Sequence, residues 1–337
     1  MYQNFTDVLN VLEICLHCNR TAHILCLGAC VPLDNLDFYQ IDAFTTEPFL
    51  GNPAVVCILE NNDDLSEETK QKIASEVNQP MTAFVSRKWT QNSVNSDKNS
   101  YKIQFFTPTQ EFYLCGHATV GSVLVLKTRD TNGATNDKSV ANYHFETKAG
   151  EPIDSSYDEN DLITISFPLP TQYKPIDLND KWTQNIVAFT LGSKLGINSV
   201  EEVVISNKFV LIRLKDSDEI NLHKVVPNFD ELNQMSDRKG VRNGIIVTQK
   251  CDFNRDGIHF YSRVFLSWAG VNEDPVCGSA HTQLMPYWSQ ILEAKAGQTL
   301  IGKQVSQRPG IVRCRLNGDR VELSGNAVIV LKGSLIL

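Results

Sequence analysis

Two segments of the sequence share one pattern, in which Cys-Gly is followed at once by a mostly apolar run. The first is EFYLCGHATVGSVLVL at residues 111–126, and the second is NEDPVCGSAHTQLMPYW at residues 272–288. A helix that is apolar on all its faces must be covered on all sides by other structure. A curved antiparallel sheet wrapped around one such helix provides that cover, and this sequence requires it twice.

The segments around the two Cys-Gly positions follow the same order, which predicts an internal duplication. In each half, apolar segments predict strands before the Cys-Gly position and a hairpin after it. The strands come in hairpin-like runs, which favours an α+β fold over a doubly wound sheet. We therefore predict two similar domains related by a pseudo-twofold duplication. Each is a barrel-like, mostly antiparallel sheet around a central apolar helix.

The chain of 337 residues is long enough for two domains. We predict a poorly ordered N-terminal extension at residues 1–36, a first domain at 37–170 and a second domain at 171–337. The closing strand, AVIVLKGSLIL at 327–337, is a candidate to return to the first domain.

Local signals predict several elements within these domains. Ser66 and Asn228 are each suited to cap the start of a helix. The segments at 141–149 and 161–169 are expected to pair as a hairpin that closes the first domain. The Asn-Gly pair at 317–318 is a strong two-residue turn signal for another hairpin.

Charge and composition exclude several classes of protein. The net charge is −8 and no basic block offsets it, which argues against a nucleic-acid or acidic-membrane partner. The sequence contains no run of eighteen or more apolar residues, so it predicts no membrane span. The nine cysteines are mostly far apart in a long chain, a usage typical of a reduced compartment, so we expect a cytoplasmic protein.

The N-terminal 36 residues need separate treatment because they hold several potential metal ligands. These are Cys15, Cys18, Cys26, Cys30, His17 and His23. The gap between the second and third cysteines is short for a zinc module, so we predict no metal site. The segment HILCLGACVP resembles a signal core, but no basic stretch precedes it. The expectation is therefore an extension that is poorly ordered or loosely docked.

The two Cys-Gly positions matter for function because each is predicted to open a helix. A helix N-terminus presents unpaired N–H groups and the positive end of the helix dipole, so it holds anions such as carboxylates. Gly116 and Gly278 would let a ligand approach the backbone closely. Two such ends facing each other across a cleft would clamp a small anionic metabolite and stabilise an enolate-like charge on it.

Cys115 and Cys277 stand at these predicted helix starts, where the pKa of a thiol falls. One thiolate and one thiol on opposite faces of a carbon atom would exchange its α-proton. The alternative is that both are packing residues, since free cysteine is often buried. Cys57, Cys251 and Cys314 lack this context and are assigned to packing.

Polar residues near the two turns are further candidates. His117 is predicted to act as a neutral acid/base or hydrogen-bond donor, its pKa lowered by the helix dipole, whereas His281 is assigned to the core. Asp274 would orient His117 or a substrate ammonium group, or it is a plain turn residue. Ser279 is predicted to cap the second helix and to contact a carboxylate.

Four separated motifs resemble the PhzF family of phenazine-biosynthesis-like proteins. The motifs are DAFTTEPFLGNPAVV, FFTPTQEFYLCGHAT, NEDPVCGSAH and GDRVELSGNAVIVLKGSL, and the match runs from about residue 38 to the C-terminus. This family includes the MAWD-binding protein and is related to diaminopimelate epimerase. The resemblance implies a cofactor-independent isomerase, commonly a homodimer, with its active site between two similar domains.

The resemblance also implies roles for individual residues. His117, Asp274 and Ser279 match substrate-contacting positions, and Gly116 would contribute its backbone. Related epimerases and proline-racemase-type enzymes use a Cys-Gly in each half as their acid/base pair, which Cys115 and Cys277 resemble.

One position departs from the family pattern. Met81 stands where the family has its general acid/base glutamate, and Glu76 and Glu111 are the nearby carboxylates in sequence. Two hypotheses follow. The chain is an isomerase that moves a proton at carbon with its two thiols, or it is a catalytically silent member that binds a ligand or a protein partner in the same cleft.

Overall fold

The computed structural model of the protein describes residues 35–59, 65–87, 99–130, 140–170, 173–206, 208–217, 221–252 and 257–337. The predicted N-terminal extension lies outside these residues up to position 34, together with the cysteines and histidines that were weighed for zinc. Residues Asp37–Gly333 form one compact unit. Below, residues 37–170 are called the first half and 171–333 the second half; the domain boundary between them stays a prediction.

Helices in the described part of the chain are α1 (Glu67–Val77), α2 (Gly116–Asp130), α3 (Lys181–Leu191), α4 (Phe229–Gln234) and α5 (Gly278–Ile291). The first strands are β1 (Asn35–Ala43), β2 (Asn52–Leu59), β3 (Thr82–Arg87), β4 (Ser100–Phe106), β5 (Glu111–Phe112), β6 (Ala141–Glu146), β7 (Ile153–Tyr157) and β8 (Ile163–Pro168). They are followed by β9 (Lys174–Ile176), β10 (Val200–Ile205), β11 (Phe209–Leu214), β12 (Gly244–Lys250), β13 (Phe260–Leu266), β14 (Val271–Asp274), β15 (Thr299–Gln304), β16 (Gly310–Asn317), β17 (Arg320–Gly325) and β18 (Ala327–Ile336).

Strand pairing repeats in the two halves, which confirms the duplication. In the first half, β1 pairs antiparallel with β2, β2 parallel with β3, β3 antiparallel with β4 and β4 parallel with β6, and β6, β7 and β8 follow antiparallel. The second half shows the same order of antiparallel and parallel pairs, formed in turn by β10, β11, β12, β13, β15, β16 and β17. Antiparallel pairing of β8 with β17 joins the halves, and β18 pairs with β1.

Each central helix connects two parallel strands, α2 between β4 and β6 and α5 between β13 and β15. Most of α2 is buried, including polar residues such as Thr119 and Ser122, because strands cover it on several sides. A Cβ atom at Gly121 would lie 2.4 Å from Ile41, so only glycine allows the helix to approach β1 this closely. The prediction of an α+β fold with wrapped central helices is confirmed.

Both predicted caps are present. The Ser66 side chain accepts a hydrogen bond from the N–H of Thr69, and the Asn228 side chain accepts one from the N–H of Glu231. By contrast, α3 was not predicted. The Asp180 carboxylate caps its N-terminus, and the helix packs over a second core beside β10–β13. Strands β9 and β10 were missed as well.

Hairpin predictions had mixed outcomes. The predicted hairpin of 141–149 with 161–169 is wrong, because β7 lies between β6 and β8 and pairs with both. Its sequence, IDSSY, did not predict a strand because two serines interrupt the alternation of apolar and polar residues. The hairpin of β16 and β17 is confirmed, but Asn317 pairs with Arg320, so the turn residues are Gly318 and Asp319. Among the described residues, no helix is long and apolar enough to cross a membrane.

Candidate active site

The two Cys-Gly turns lie side by side. Short strand β5 leads to Cys115 and the start of α2, and β14 leads to Cys277 and the start of α5. A Cβ atom added to Gly278 would lie 3.7 Å from the Cα atom of Gly116, which is ordinary van der Waals contact. The N-terminal ends of the two central helices therefore meet at their glycines, one from each half of the molecule.

In the first half, the buried thiol of Cys115 faces the ring of His117. Its Sγ atom lies 3.4 Å from Nδ1 and 3.8 Å from Nε2. Burial raises the pKa of Cys115 to about 12, although the backbone N–H groups of Ala118 and His117 favour the thiolate. Burial also lowers the pKa of His117 to about 4, so the imidazole is neutral at physiological pH.

In the second half, the buried thiol of Cys277 contacts a hydroxyl group instead. Its Sγ atom lies 3.3 Å from Ser279 Oγ. The Cys277 N–H donates to Gln304 Oε1 at 2.9 Å, and its carbonyl accepts from His281 Nδ1 at 2.8 Å. Burial and the charge of Asp274 raise the pKa of Cys277 well above its usual value.

Asp274 lies at the end of β14 and is held by a residue of the other half. Asn52 Nδ2 donates to Asp274 Oδ1 at 2.6 Å and to the carbonyl of Val276 at 2.9 Å. Burial raises the pKa of Asp274 to about 6, and repulsion from Glu273 adds to this. Hydrogen bonds from Cys277, from the Val276 N–H and from Asn52 oppose the rise.

Several predictions about these residues need correction. The pKa of each thiol is raised, not lowered, because both side chains are buried and the loss of hydration exceeds the effect of the helix N-terminus. Ser279 does not cap α5, since the helix starts at Gly278 with Cys277 as the N-cap residue. The pKa of His117 is lowered as expected, but burial is the cause. His281 lies in the core, as predicted.

Met81 is buried in the hydrophobic core, directly before β3, and its carbonyl accepts a hydrogen bond from Val55. Neither nearby carboxylate replaces the family glutamate. Glu76 is exposed on α1. Glu111 is bonded to Lys148 and accepts from Gln104 Nε2 at 3.2 Å. Near the helix starts, the groups able to transfer a proton are the thiols of Cys115 and Cys277, the imidazole of His117 and the carboxylate of Asp274.

A cavity of about 280 Å³ opens beside the meeting helix ends. Gly116 and Ser279 line it from the two turns, and Lys208 and Glu151 add one charge of each sign. Much of the remaining wall is apolar, including Phe167. The space suits a small organic molecule that reaches the helix N-termini with a polar end. Among the described residues, no group of three or more His, Cys, Asp and Glu side chains is arranged to hold a metal ion.

Two residues that contact this site were not identified from the sequence. Asn52 and Gln304 are both buried. Asn52 donates a hydrogen bond to the Asp274 carboxylate, whereas Gln304 donates one to the Asp274 carbonyl and accepts one from the Cys277 N–H. Asn52 lies in the Gly-Asn-Pro segment of the first motif, but no role was predicted for it. Gln304 gave no local signal, because its partners lie across the sheet.

The duplicated α+β architecture, with two central helices meeting at their N-terminal ends, is an isomerase/epimerase-type fold. A predicted epimerase from Pseudomonas aeruginosa shares it with a TM-score of 0.62 at 16% identity, over 90% of this chain and 99% of that one. At this level of identity the likeness extends to the fold alone.

The family model described as phenazine biosynthesis-like protein matches residues 41–333, and the chain belongs to this PhzC-PhzF family. It is 37% identical to phenazine biosynthesis-like domain-containing protein 2 of Mus musculus, covering 89% of this chain and 99% of that protein. An uncharacterized isomerase of Halalkalibacterium halodurans is 35% identical, with coverage of 89% and 98%. The crystal structure of a PhzF-family protein from Enterococcus faecalis superposes with a TM-score of 0.71 at 32% identity, covering 90% and 100%.

Proposed function

We propose that the protein is a cofactor-independent isomerase or epimerase that moves a proton at a carbon atom of a small carboxylate-bearing metabolite. The observation that carries this proposal is the contact between the two Cys-Gly turns, where Gly278 and Gly116 bring two helix N-termini together. A family relative of 35% identity is named an isomerase, which supports the same reaction class. A cytoplasmic location, predicted from the cysteine usage, and a homodimer, implied by the family resemblance, belong to the same proposal.

The carboxylate of the substrate binds at the two helix ends. The first turn of a helix has unpaired N–H donors and a positive dipole end, so the amides of Gly116, Gly278 and Ser279 are suited to a negative group. As the α-proton leaves, negative charge spreads onto the carboxylate, and the same donors stabilise it more strongly. The substrate-binding residues are therefore part of the catalytic stabilisation.

Cys115 and Cys277 act as the acid/base pair in this proposal, one in each half. Both thiols are protonated at neutral pH in the free protein, because burial and the charge of Asp274 raise their pKa values. A substrate ammonium group beside Asp274 would offset that carboxylate charge and thereby lower the pKa of both thiols. Substrate binding itself then makes a thiolate accessible, and the neutral ring of His117 donates a hydrogen bond to the reacting groups.

The second candidate function is a catalytically silent member that binds a small molecule or a protein through the same cleft. Met81 favours it, because a buried thioether side chain carries no transferable proton and occupies the position of the family glutamate. In that case the thiols are packing residues, and restoring the glutamate would create activity.

The test is solvent deuterium incorporation into a panel of small amino and hydroxy acids, followed by NMR for the wild type, Met81→Glu and Met81→Gln. The proposal expects the wild type to exchange the α-proton of at least one compound, with the Gln variant serving as a size-matched control without an acid/base group. Exchange that appears only in Met81→Glu would overturn the proposal in favour of the silent member.

A further inference from the structure

The side chain of Asn52, in the first half, donates hydrogen bonds to the segment of the second half that carries Asp274. Asn52 is the first residue of β2, and its side chain is 1% exposed. Its Nδ2 atom donates at 2.6 Å to Asp274 Oδ1 and at 2.9 Å to the carbonyl of Val276. Because both partners are acceptors, the orientation of the amide is fixed and both of its N–H donors are used.

The oxygen of the same amide is not satisfied. Asn52 Oδ1 is buried and has no hydrogen-bond partner among the described residues. An unpaired buried acceptor destabilises the fold, so the amide is not placed here for stability alone. What this position gains is a pair of donors aimed at the segment from Asp274 to Val276, directly before the second Cys-Gly turn.

The turn that carries Asn52 is held by a residue of the second half. Arg308 Nη2 donates to Asp42 Oδ1 at 2.6 Å and to the carbonyl of Leu50 at 3.2 Å, and Nε donates to the carbonyl of Gly51 at 3.1 Å. Gly51 has φ of +64°, and a Cβ atom there would lie 2.2 Å from the carbonyl oxygen of Ala43. The turn therefore requires glycine at this position, and Arg308 binds the turn from across the boundary between the halves.

We propose that Asn52 is a positioning residue that orients the Asp274 carboxylate, and that Arg308 holds the turn from which Asn52 acts. The catalytic consequence of this arrangement rests on the proposed function, whereas its effect on the carboxylate does not. Loss of the amide donors leaves Asp274 with fewer hydrogen bonds to its charged form, so its pKa rises.

Other ionisable groups act on the same carboxylate, and they set the background for the measurement. Glu273 repels it, but Arg263 pairs with Glu273 at 2.7 Å and limits that repulsion. Cys277 donates to Asp274, and Cys115 feels its charge from the other turn. None of these groups is altered when Asn52 is replaced. A change in the pKa of Asp274 would therefore result from the loss of the Asn52 amide.

The experiment measures the Asp274 titration by carbon NMR of protein labelled in the aspartate carboxyl groups, with the signal assigned from Asp274→Asn. Asn52→Leu is expected to raise the pKa of Asp274 by about one unit, the effect of losing one hydrogen bond to a carboxylate. The matched control is Asn326→Leu, which removes another amide that donates to a main-chain carbonyl, that of Asp161 at 2.9 Å. It should leave the titration unchanged. An unchanged pKa in folded Asn52→Leu would overturn the proposal.

Two further variants keep the test decisive if Asn52→Leu fails to fold. Asn52→Ala removes the same two N–H donors without adding a charge, so the pKa of Asp274 should rise in the same direction. Arg308→Lys keeps a cation beside Asp42 but loses the planar fork that binds the turn carbonyls. It should produce a smaller rise in the same direction, and no rise in either variant would refute the proposal.

Failure of this proposal and failure of the proposed function give different results. If the wild type exchanges no deuterium yet Asn52→Leu shifts the titration of Asp274, the positioning role stands and the isomerase proposal fails. If exchange occurs and the titration of Asp274 is the same in wild type and Asn52→Leu, the isomerase proposal stands and the positioning role fails.

Discussion

The two Cys-Gly turns have the same backbone design but different side chains around the sulfur atom. At the first turn, the thiol of Cys115 contacts a neutral imidazole, His117, at 3.4 Å. At the second turn, the thiol of Cys277 contacts the hydroxyl of Ser279 at 3.3 Å and also donates a hydrogen bond to the carboxylate of Asp274. The charge of Asp274 acts on both thiols. Both halves therefore share the meeting helix N-termini, while the groups that set the acidity of each thiol differ.

This difference assigns the two thiols different roles within the proposed mechanism. Burial raises the pKa of Cys115 to about 12, and that of Cys277 is also raised, with a hydrogen bond to Asp274 as an added cause. A hydrogen bond from the thiol to a carboxylate stabilises the protonated form. We infer that Cys115 ionises first and removes the proton, while Cys277 delivers one to the opposite face.

The largest expected difference from ordinary cysteines is in alkylation. At pH 7.5 the raised pKa should make iodoacetamide labelling of Cys115 about a thousandfold slower than in the unfolded chain, because the thiolate is the reactive form. Cys277 should be slower still. Peptide mass spectrometry over time measures both rates, with the buried Cys314 as an internal reference. Faster labelling of Cys277 than of Cys115 would contradict the assignment of roles.

A smaller effect should separate the partners of the two thiols. His117→Asn is expected to lower the rate of deuterium exchange about a hundredfold, since it removes an acid/base or donor group at the reacting atoms. Ser279→Ala should cost only about fivefold, the value of one neutral hydrogen bond, because Ser279 is exposed. The measurement is kcat/KM for exchange in each variant. A greater loss in Ser279→Ala than in His117→Asn would reverse the comparison.

The smallest expected effect is on stability. The pKa of Asp274 in the folded protein is raised to about 6 from 3.8, so its favourable contribution is complete below about pH 4 and is lost as the pH rises through 6. As the pH rises from 4 to 7.5, Asp274→Asn should therefore gain about 1–2 kcal/mol in unfolding free energy relative to wild type, a range reduced for the partial exposure of this side chain.

Urea unfolding at the two pH values measures this gain. Burial lowers the pKa values of His117 and His281 to about 4, which destabilises the fold as the pH falls, but both histidines are present in both proteins and cancel in the difference. A stability difference between Asp274→Asn and wild type that is the same at both pH values would show that the carboxylate is not perturbed.

Much of the fold was predictable because its signals are local. The Ser66 and Asn228 caps and the apolar runs after each Cys-Gly depend on neighbouring residues, and each produced the predicted helix. The missed helix α3 also had a local signal, an aspartate at position 180 before a periodic apolar pattern. Strand β7 was missed because its two serines interrupt the apolar alternation.

The site was predictable only in part, for a physical reason. Sequence spacing placed Cys115 and Cys277 at helix starts, but the direction of their pKa shifts depends on burial, which arises from tertiary packing. The bond from Asn52 to Asp274 joins residues far apart in the sequence and in different halves. No local pattern reports such a contact.

The most direct test of the account compares deuterium exchange in the wild type, Cys115→Ala, Cys277→Ala and the double variant, on a compound that the wild type exchanges. Each single variant should lose about a thousandfold or more of the rate, because each removes one member of the acid/base pair. Cys251→Ala, a buried cysteine outside the turns, should retain the wild-type rate. Exchange at the wild-type rate in the double variant would contradict the account.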